Sequence, residues 1–159
     1  MRLTELLRTA GLVLMQPPAD PEILAVIEDS RQATPGCLFV ARPGSKADGT
    51  SFARNAVDRG AVAVVTQTRI EGLAVPQIIV ADANASCSVF THAFFGHPAR
   101  HVDVLAVTGT NGKTTTAYLT RHILNKLGRR CGLMGTVEID DVSSVRESNL
   151  TTPAAIDIA

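Results

Sequence analysis

The amino-acid sequence predicts an α/β fold, and two observations carry that prediction. Short apolar runs alternate with segments of helical periodicity, which is typical of strands and helices that build a largely parallel sheet. A later apolar run, 104–107, leads directly into the turn 109–114 and then into a helical segment. A buried strand, a glycine-rich turn and a helix, in that order, are the layout of a phosphate-binding loop.

The composition is that of an ordinary globular protein of one or two domains. Of the 159 residues, 45% are hydrophobic, which is enough for a core. The 15 basic and 15 acidic residues cancel, so we expect no nucleic-acid partner. No run approaches the roughly 20 apolar residues that cross a bilayer, and no signal-peptide pattern is visible, so we expect no membrane partner and a cytoplasmic location. Three widely spaced cysteines indicate reduced thiols.

Four apolar segments in the first part of the chain predict strands. They are rich in small and β-branched residues and are bounded by proline, glycine or charged residues, as buried strands commonly are. Pro35 and Gly36 form a turn before the second segment, and Pro76 precedes the fourth. The predicted strands are 23–27, 37–41, 61–65 and 77–81.

Three further segments have apolar residues at helical spacing. Residues 2–10 place leucines on one face. Residues 51–59 predict a second helix, in which Phe52 and Ala56 face inward. Asp82 is placed to cap a third helix. The apolar positions of that third helix are Ala83, Cys87, Phe90 and Phe94.

A short linker separates two predicted domains. Residues 97–102 are rich in histidine and contain a proline, and they stand immediately before the apolar run at Val104. We therefore predict one domain over residues 1–99 and a second over residues 100–159.

The second domain has few predicted elements after its loop. An apolar stripe predicts a helix that ends at Gly128, and residues 131–139 predict a strand broken by glycines. Residues 140–149 are polar and predict a segment that is either hairpin-like or loose. Thr152 suits a helix N-cap, but few residues follow it. Because a nucleotide-binding sheet usually has about five strands, we expect this domain to be truncated.

The loop after Val107 predicts a site for a nucleotide phosphate. Its backbone N–H groups can turn toward phosphate oxygens at the start of a helix. In loops of this type the lysine, here Lys113, reaches the β and γ phosphates, and the next hydroxyl, Thr114, binds Mg²⁺. The strict motif has a glycine where Val107 stands, so a tight turn with a solvated lysine stays open. The candidate residues are Gly109, Thr110, Asn111, Gly112, Lys113, Thr114 and Thr115.

Several stretches, taken together in chain order, resemble one family, the Mur ligases of peptidoglycan synthesis. The loop and the later Leu-Thr-Thr-Pro sequence resemble in particular the type that adds the third peptide residue (the MurE type). The stretches that carry the resemblance are 29–31, 35–41, 47–49, 60–61, 108–115, 135–136 and 150–153.

The resemblance implies an α/β UDP-binding domain followed by a P-loop, mostly parallel-sheet ATP-binding domain in a monomeric enzyme. The implied reaction uses ATP and Mg²⁺ to activate the D-Glu carboxylate of UDP-MurNAc-L-Ala-D-Glu as an acyl phosphate. The amine of an amino acid, diaminopimelate or lysine, then forms an amide. Lys113 would be the catalytic residue, because it would spread the charge that develops on the phosphoryl oxygens.

The resemblance also implies substrate contacts. The position of Ser30 resembles that of a residue that contacts the uridine nucleotide, although Ser30 could also serve only as a turn residue. Thr152 could likewise serve as a helix cap. The substrate-binding residues implied by the matched motifs are Ser30, Ser45, Lys46, Ala47, Thr151 and Thr152.

Three other functions compete with that of a Mur ligase. A P-loop kinase explains the loop but leaves residues 1–99 without a role. A folylpolyglutamate-type ligase does not account for Asp29-Ser30-Arg31. A UDP-sugar-binding module without catalysis explains only the first domain. Since members of the Mur family are much longer than this chain, we expect an N-terminal fragment that does not catalyse ligation alone.

Overall fold

The computed structural model describes residues 1–12, 19–44, 48–148 and 156. Two compact units are present: the first comprises Met1–Val102 with Ala155–Ala159, and the second comprises Asp103–Ala154. Within the described ranges, no helix has both the length and the apolar character needed to cross a bilayer. The assignment of a separate role to each predicted domain stays a prediction.

The first unit contains a parallel sheet of four strands, so the α/β prediction is confirmed. Strands lie side by side in chain order, and the two central ones are buried along their whole length. Burial on both faces explains why these segments are continuously apolar instead of alternating with polar residues. The strands are β1 (Ala25–Ile27), β2 (Cys37–Val40), β3 (Ala63–Thr66) and β4 (Gln77–Ile79).

Three helices supply the apolar residues that pack on this sheet. Leucines of α1 (Leu3–Thr9) form one core cluster with residues of α3 (Ala83–Phe94), among them the fully buried Phe90. A second cluster brings alanines of α2 (Ala53–Asp58) against Phe39 of β2. Successive residues along the central strands belong alternately to the first and the second cluster, so the sheet has a core on each face.

The predicted inward orientation of Phe52 is wrong. The helix begins only at Ala53, after a 3-10 turn over Gly49–Phe52, and Phe52 is 45% exposed. The cause is local, because the carboxylate of Asp48 accepts a hydrogen bond from the Thr50 N–H at 3.0 Å and caps the 3-10 turn. The helix therefore starts later than its apolar pattern indicates, and small alanines occupy the buried positions.

The described residues of the second unit include a helix and a small antiparallel sheet. The predicted helix is present as α4 (Lys113–Lys126). A hairpin is present too, but its first strand begins at Glu138, before the segment 140–149 that was predicted as hairpin-like. The broken strand predicted over 131–139 is two separate strands. Arg121 of α4 forms ion pairs with Glu138 at 3.1 Å and Asp140 at 2.6 Å, which tie the helix to the sheet. The strands are β5 (Leu133–Met134), β6 (Glu138–Asp140) and β7 (Val145–Glu147).

The predicted buried strand at Val104 is not formed. Residues 103–108 pair with no other segment in the described part of the chain, and Val104 is 74% exposed. The apolar stripe of α4 is exposed as well, with Leu127 at 71%. A central parallel strand requires a hydrogen-bonded neighbour on each side, and no described segment provides one.

The cap of α3 leads to a prediction about stability. The carboxylate of Asp82 accepts hydrogen bonds from the N–H groups of Asn84 at 2.8 Å and Ala85 at 3.1 Å. Asp82→Ala should lower the free energy of unfolding by about 1 kcal/mol, because these two N–H groups lose their acceptor. Chemical denaturation measures the change. Asp82→Asn is the matched control, since it keeps a side-chain oxygen and should lose less; an equal loss would contradict the capping role.

Candidate functional site

A cavity of about 240 Å³ lies at the carboxyl end of the parallel sheet. Glu28 follows β1 and Arg42 comes two residues after β2, and both side chains line this cavity. Because neighbouring parallel strands end at the same edge, residues that are distant in sequence meet here. The described lining residues are Glu28, Arg42, Pro43, Gly44, Gly49 and Phe52.

A polar network anchors the charged side of the cavity. The Nη1 group of Arg42 donates to Oε2 of Glu28, and its Nε group donates to Oδ1 of Asn84 at 2.8 Å. The thiol of Cys87 donates to the same Glu28 oxygen, with a sulfur to oxygen distance of 3.4 Å. The network therefore joins the ends of β1 and β2 to helix α3. None of these four side chains was identified as functional from the sequence.

The pKa values follow from this arrangement. Burial raises the pKa of the Cys87 thiol from 9.0 to about 11, and the negative charge of Glu28 adds to the effect. Burial by itself would lower the pKa of Arg42, but the charge and the hydrogen bond of Glu28 outweigh it and leave that pKa raised. At neutral pH the thiol is therefore neutral and the guanidinium is charged.

Backbone contacts beside the cavity join residues 42 and 43 to residues 48 and 49. The N–H of Gly49 donates to the carbonyl of Arg42 at 2.9 Å, and Pro43 and Asp48 form an antiparallel bridge. A Cβ atom at Gly49 would lie 2.6 Å from the backbone nitrogen of Arg42, so only glycine fits. A hydrogen bond from the Thr50 backbone lowers the pKa of Asp48.

The predicted substrate residues are only partly within the described ranges. Ser30 is the first residue of a 3-10 turn and is 7% exposed, and it is not among the residues that line the cavity. Asp29 caps this turn by accepting a hydrogen bond from the Arg31 N–H at 2.9 Å. The remaining predicted residues, Ser45, Lys46, Ala47, Thr151 and Thr152, lie outside the described residues.

The phosphate-type loop stands at the start of α4 in the second unit. Gly109 and Gly112 have φ angles of 143° and 78°, which other residues rarely adopt. The Lys113 ammonium donates to the carbonyl of Gly109 and, at 3.2 Å, to that of Thr110. The lysine therefore folds over its own loop. Asn111, Thr114 and Thr115 are exposed beside it, and Thr114 lies in the first turn of the helix.

The loop has the features that an anion requires. Its residues are exposed, a helix begins at its end, and the Lys113 ammonium lies within hydrogen-bond distance of its carbonyl groups. Across the described ranges, no group of three or more His, Cys, Asp or Glu residues could hold a metal ion. A metal at this loop would therefore depend on a hydroxyl such as that of Thr114 and on ligands other than a carboxylate cluster.

Comparison with known proteins identifies the family. A family model described as "Mur ligase family, catalytic domain" matches residues 22–121, and one described as "Mur ligase middle domain" matches residues 107–159. This chain belongs to the Mur ligase family. The first match includes both the cavity and the phosphate-type loop of this Mur ligase chain.

Individual relatives agree with this assignment. The UDP-N-acetylmuramoyl-L-alanyl-D-glutamate–2,6-diaminopimelate ligase of Syntrophomonas wolfei is 36% identical over 99% of this chain and 32% of its own length. The UDP-N-acetylmuramyl-tripeptide synthetase of a Roseiflexus species is 41% identical, again over 99% of this chain and 32% of its own length. The chain thus spans about a third of the length of these curated relatives.

Solved structures show the same likeness. A structure of a UDP-N-acetylmuramoyl-L-alanyl-D-glutamate–2,6-diaminopimelate ligase superposes with a TM-score of 0.73 and 26% identity, over 99% of this chain and 32% of that one. MurF from Acinetobacter baumannii superposes with a TM-score of 0.59 and 26% identity, over 78% of this chain and 27% of its own. The predicted resemblance to Mur ligases is therefore confirmed.

The contact between Gly49 and Arg42 predicts a cost for any side chain at Gly49. Gly49→Ala should lower the free energy of unfolding of the first unit by about 1–3 kcal/mol, because a methyl group would overlap the Arg42 backbone. Gly135→Ala serves as the control, since the nearest atom to its new Cβ would be 3.8 Å away. Denaturant titration of both variants decides the point, and equal stability of the two would refute the close approach.

The raised pKa of Cys87 predicts an alkaline loss of stability. Between pH 9.0 and about 11 the unfolded thiol ionises while the folded thiol keeps its proton, so the stability that it contributes below pH 9.0 falls as the pH rises. The free energy of unfolding should fall by on the order of 2 kcal/mol across this pH range. Unfolding curves across this range should decline less steeply in Cys87→Ala. Cys131→Ala is the control, because it removes a thiol that lies outside the network of Glu28 and Arg42.

Proposed function

We propose that this chain supplies the UDP-substrate-binding unit and the ATP phosphate loop of a ligase in peptidoglycan synthesis. The ligase would add the third amino acid, diaminopimelate or lysine, to UDP-MurNAc-L-Ala-D-Glu. The observation that carries the proposal is the loop with left-handed Gly109 and Gly112 and with Lys113 folded over it. The loop occurs in a chain that matches its relatives over 99% of its sequence, and the names of those relatives contain this substrate.

The two predicted domains divide the work in this proposal. Residues 1–99 hold the UDP-linked substrate through Ser30 and through Ser45, Lys46 and Ala47. Residues 100–159 hold ATP, and Thr151 and Thr152 contact the muramoyl part of the substrate. The cavity at the end of the parallel sheet supports the first assignment, because ligands of open α/β sheets bind at that edge. The same proposal includes a cytoplasmic location and a monomeric state for the protein.

The loop residues have distinct roles toward ATP. The backbone N–H groups of residues 109–115 hold phosphate oxygens, and Lys113 spreads the negative charge that develops during phosphoryl transfer. Thr114 would hold Mg²⁺ through its hydroxyl, and the metal would neutralise phosphate charge when bound. Exposure of the whole loop supports this assignment, since a phosphate can reach it without any rearrangement of the core.

The proposed chemistry explains why a phosphate loop is needed to form an amide. A carboxylate is a poor acyl donor at neutral pH. Transfer of the γ-phosphoryl group from ATP to the D-Glu carboxylate gives an acyl phosphate and ADP. Attack by the amine of the incoming amino acid then forms the amide, and phosphate leaves with the electron pair of the broken bond.

This polypeptide alone should bind ATP weakly and should not ligate. The segment before the loop pairs with no described strand, and no described residue of α4 is buried. Because the segment before the loop and α4 give the loop so little buried support, ATP binding would have to order the loop, and part of the binding free energy would be lost. A Kd for Mg-ATP in the micromolar range or tighter, or formation of tripeptide product, would contradict this expectation.

Calorimetry with UDP-MurNAc-L-Ala-D-Glu and, separately, with Mg-ATP tests the proposal. Both should bind the wild-type chain. Lys113→Ala should weaken Mg-ATP by about tenfold, the usual effect of losing a hydrogen bond to a charged group, and should leave the UDP compound unaffected. The control is Lys126→Ala, which removes an exposed lysine at the other end of α4 and should change neither Kd.

The other candidate functions give different results in the same experiment. A P-loop kinase would bind Mg-ATP but not UDP-MurNAc-L-Ala-D-Glu. A UDP-sugar-binding module would bind only the UDP compound. Either result would overturn the proposed ligase function.

A further inference from the structure

The cavity of the first unit contains one cationic and one anionic side chain among its described lining residues. Arg42 and Glu28 form an ion pair there, and their side chains are 36% and 23% exposed. Asn84 accepts a second hydrogen bond from the Arg42 guanidinium at 2.8 Å. The guanidinium is therefore held from two sides and is not free to swing toward a ligand.

Glu28 is also held from two sides. Its Oε2 atom accepts hydrogen bonds from Arg42 and from the Cys87 thiol, whose residue is 1% exposed. Because Cys87 lies on α3 and Arg42 follows β2, the carboxylate is fixed between two separate elements of the fold. Its negative charge therefore stays at the cavity.

This fixed pair changes what the cavity can accept. A guanidinium alone would be a good phosphate site, since its fork of N–H groups matches phosphate oxygens. Here a carboxylate cancels the charge, occupies part of the fork and repels phosphate oxygens. What remains is a neutral combination of N–H donors and a carboxylate acceptor beside the 45% exposed ring of Phe52.

We propose that Glu28 is a specificity-determining residue, which cancels the charge of Arg42 so that the cavity takes an uncharged heterocyclic base and rejects a phosphate group. The donors and the acceptor match the polar edge of a base, and the ring of Phe52 offers a surface on which a base stacks. The inference rests on the proposed function, because it concerns which part of a UDP-linked substrate enters this cavity.

The test compares uridine with pyrophosphate in NMR titrations of the full chain at low salt without divalent metal. The side-chain signals of Arg42 and Asn84 report binding at the cavity. For wild type, uridine should shift these signals and pyrophosphate should not. Glu28→Gln keeps an oxygen acceptor but frees the charge of Arg42, so pyrophosphate should bind at least about tenfold tighter than to wild type. Its affinity for uridine should change less than about threefold.

Two controls separate this effect from a general change in charge. Glu5→Gln makes the same substitution at an exposed position of α1 and should leave pyrophosphate binding at the wild-type level. The double variant Glu28→Gln/Arg42→Gln should lose the gain, because no uncompensated cation remains. An unchanged pyrophosphate affinity in Glu28→Gln, or an equal gain in Glu5→Gln, would overturn the inference.

Arg42→Gln gives a second test that does not require Glu28→Gln to fold. It leaves Glu28 uncompensated, so affinity for UDP should fall at least about fivefold more than affinity for uridine. Equal losses of affinity for UDP and for uridine would contradict the inference that the charges of Glu28 and Arg42 select the ligand. If wild type binds neither uridine nor UDP, the proposed function fails together with the inference. If it binds them and both variants behave as wild type, only the inference fails.

Discussion

Parallel hydrogen bonding among β1, β2, β3 and β4 is the constraint from which the candidate site of the first unit arises. The register pairs Ile27 with Phe39 and Val40 with Val65, so the strands advance together and end at one edge. Each strand must then be followed by a turn, and polar residues collect where the turns begin. Glu28 and Arg42 are 14 positions apart in sequence but become neighbours for this reason. The core on both faces of the sheet holds this edge in place.

The ion pair at that edge is better explained by selectivity than by stability. A partly buried pair loses hydration on folding, and its attraction repays that loss only when the remaining polar atoms are satisfied. Asn84 and Cys87 provide such partners, which allows the pair to persist beside an open cavity. An apolar pair of similar volume would hold the strands equally well but would offer no donor or acceptor to a ligand. The proposed selectivity therefore gives Glu28 and Arg42 a role that holding the strands together does not.

Local patterns in the sequence predict most of the fold because they depend on neighbours along the chain. Apolar runs identified all four strands of the parallel sheet, and Asp82 together with the helical spacing after it identified α3. The error at Phe52 arose where a cap at Asp48 competes with the helical pattern. The network of Glu28 and Arg42 could not be inferred from spacing, because it exists only once β1 lies beside β2. Polar residues directly after two predicted parallel strands were the available signal.

The second unit shows the difference between local and distant requirements most clearly. Gly109, Gly112 and the start of α4 are enough to shape a phosphate-type loop, since each acts through its own backbone. The apolar segment at Val104 needs neighbours on both sides, and in the described ranges it has none. The Lys113 ammonium donates hydrogen bonds to the carbonyls of Gly109 and Thr110. A phosphate bound as proposed would have to replace those contacts, and within the described ranges no strand packs beside the loop to hold it in place.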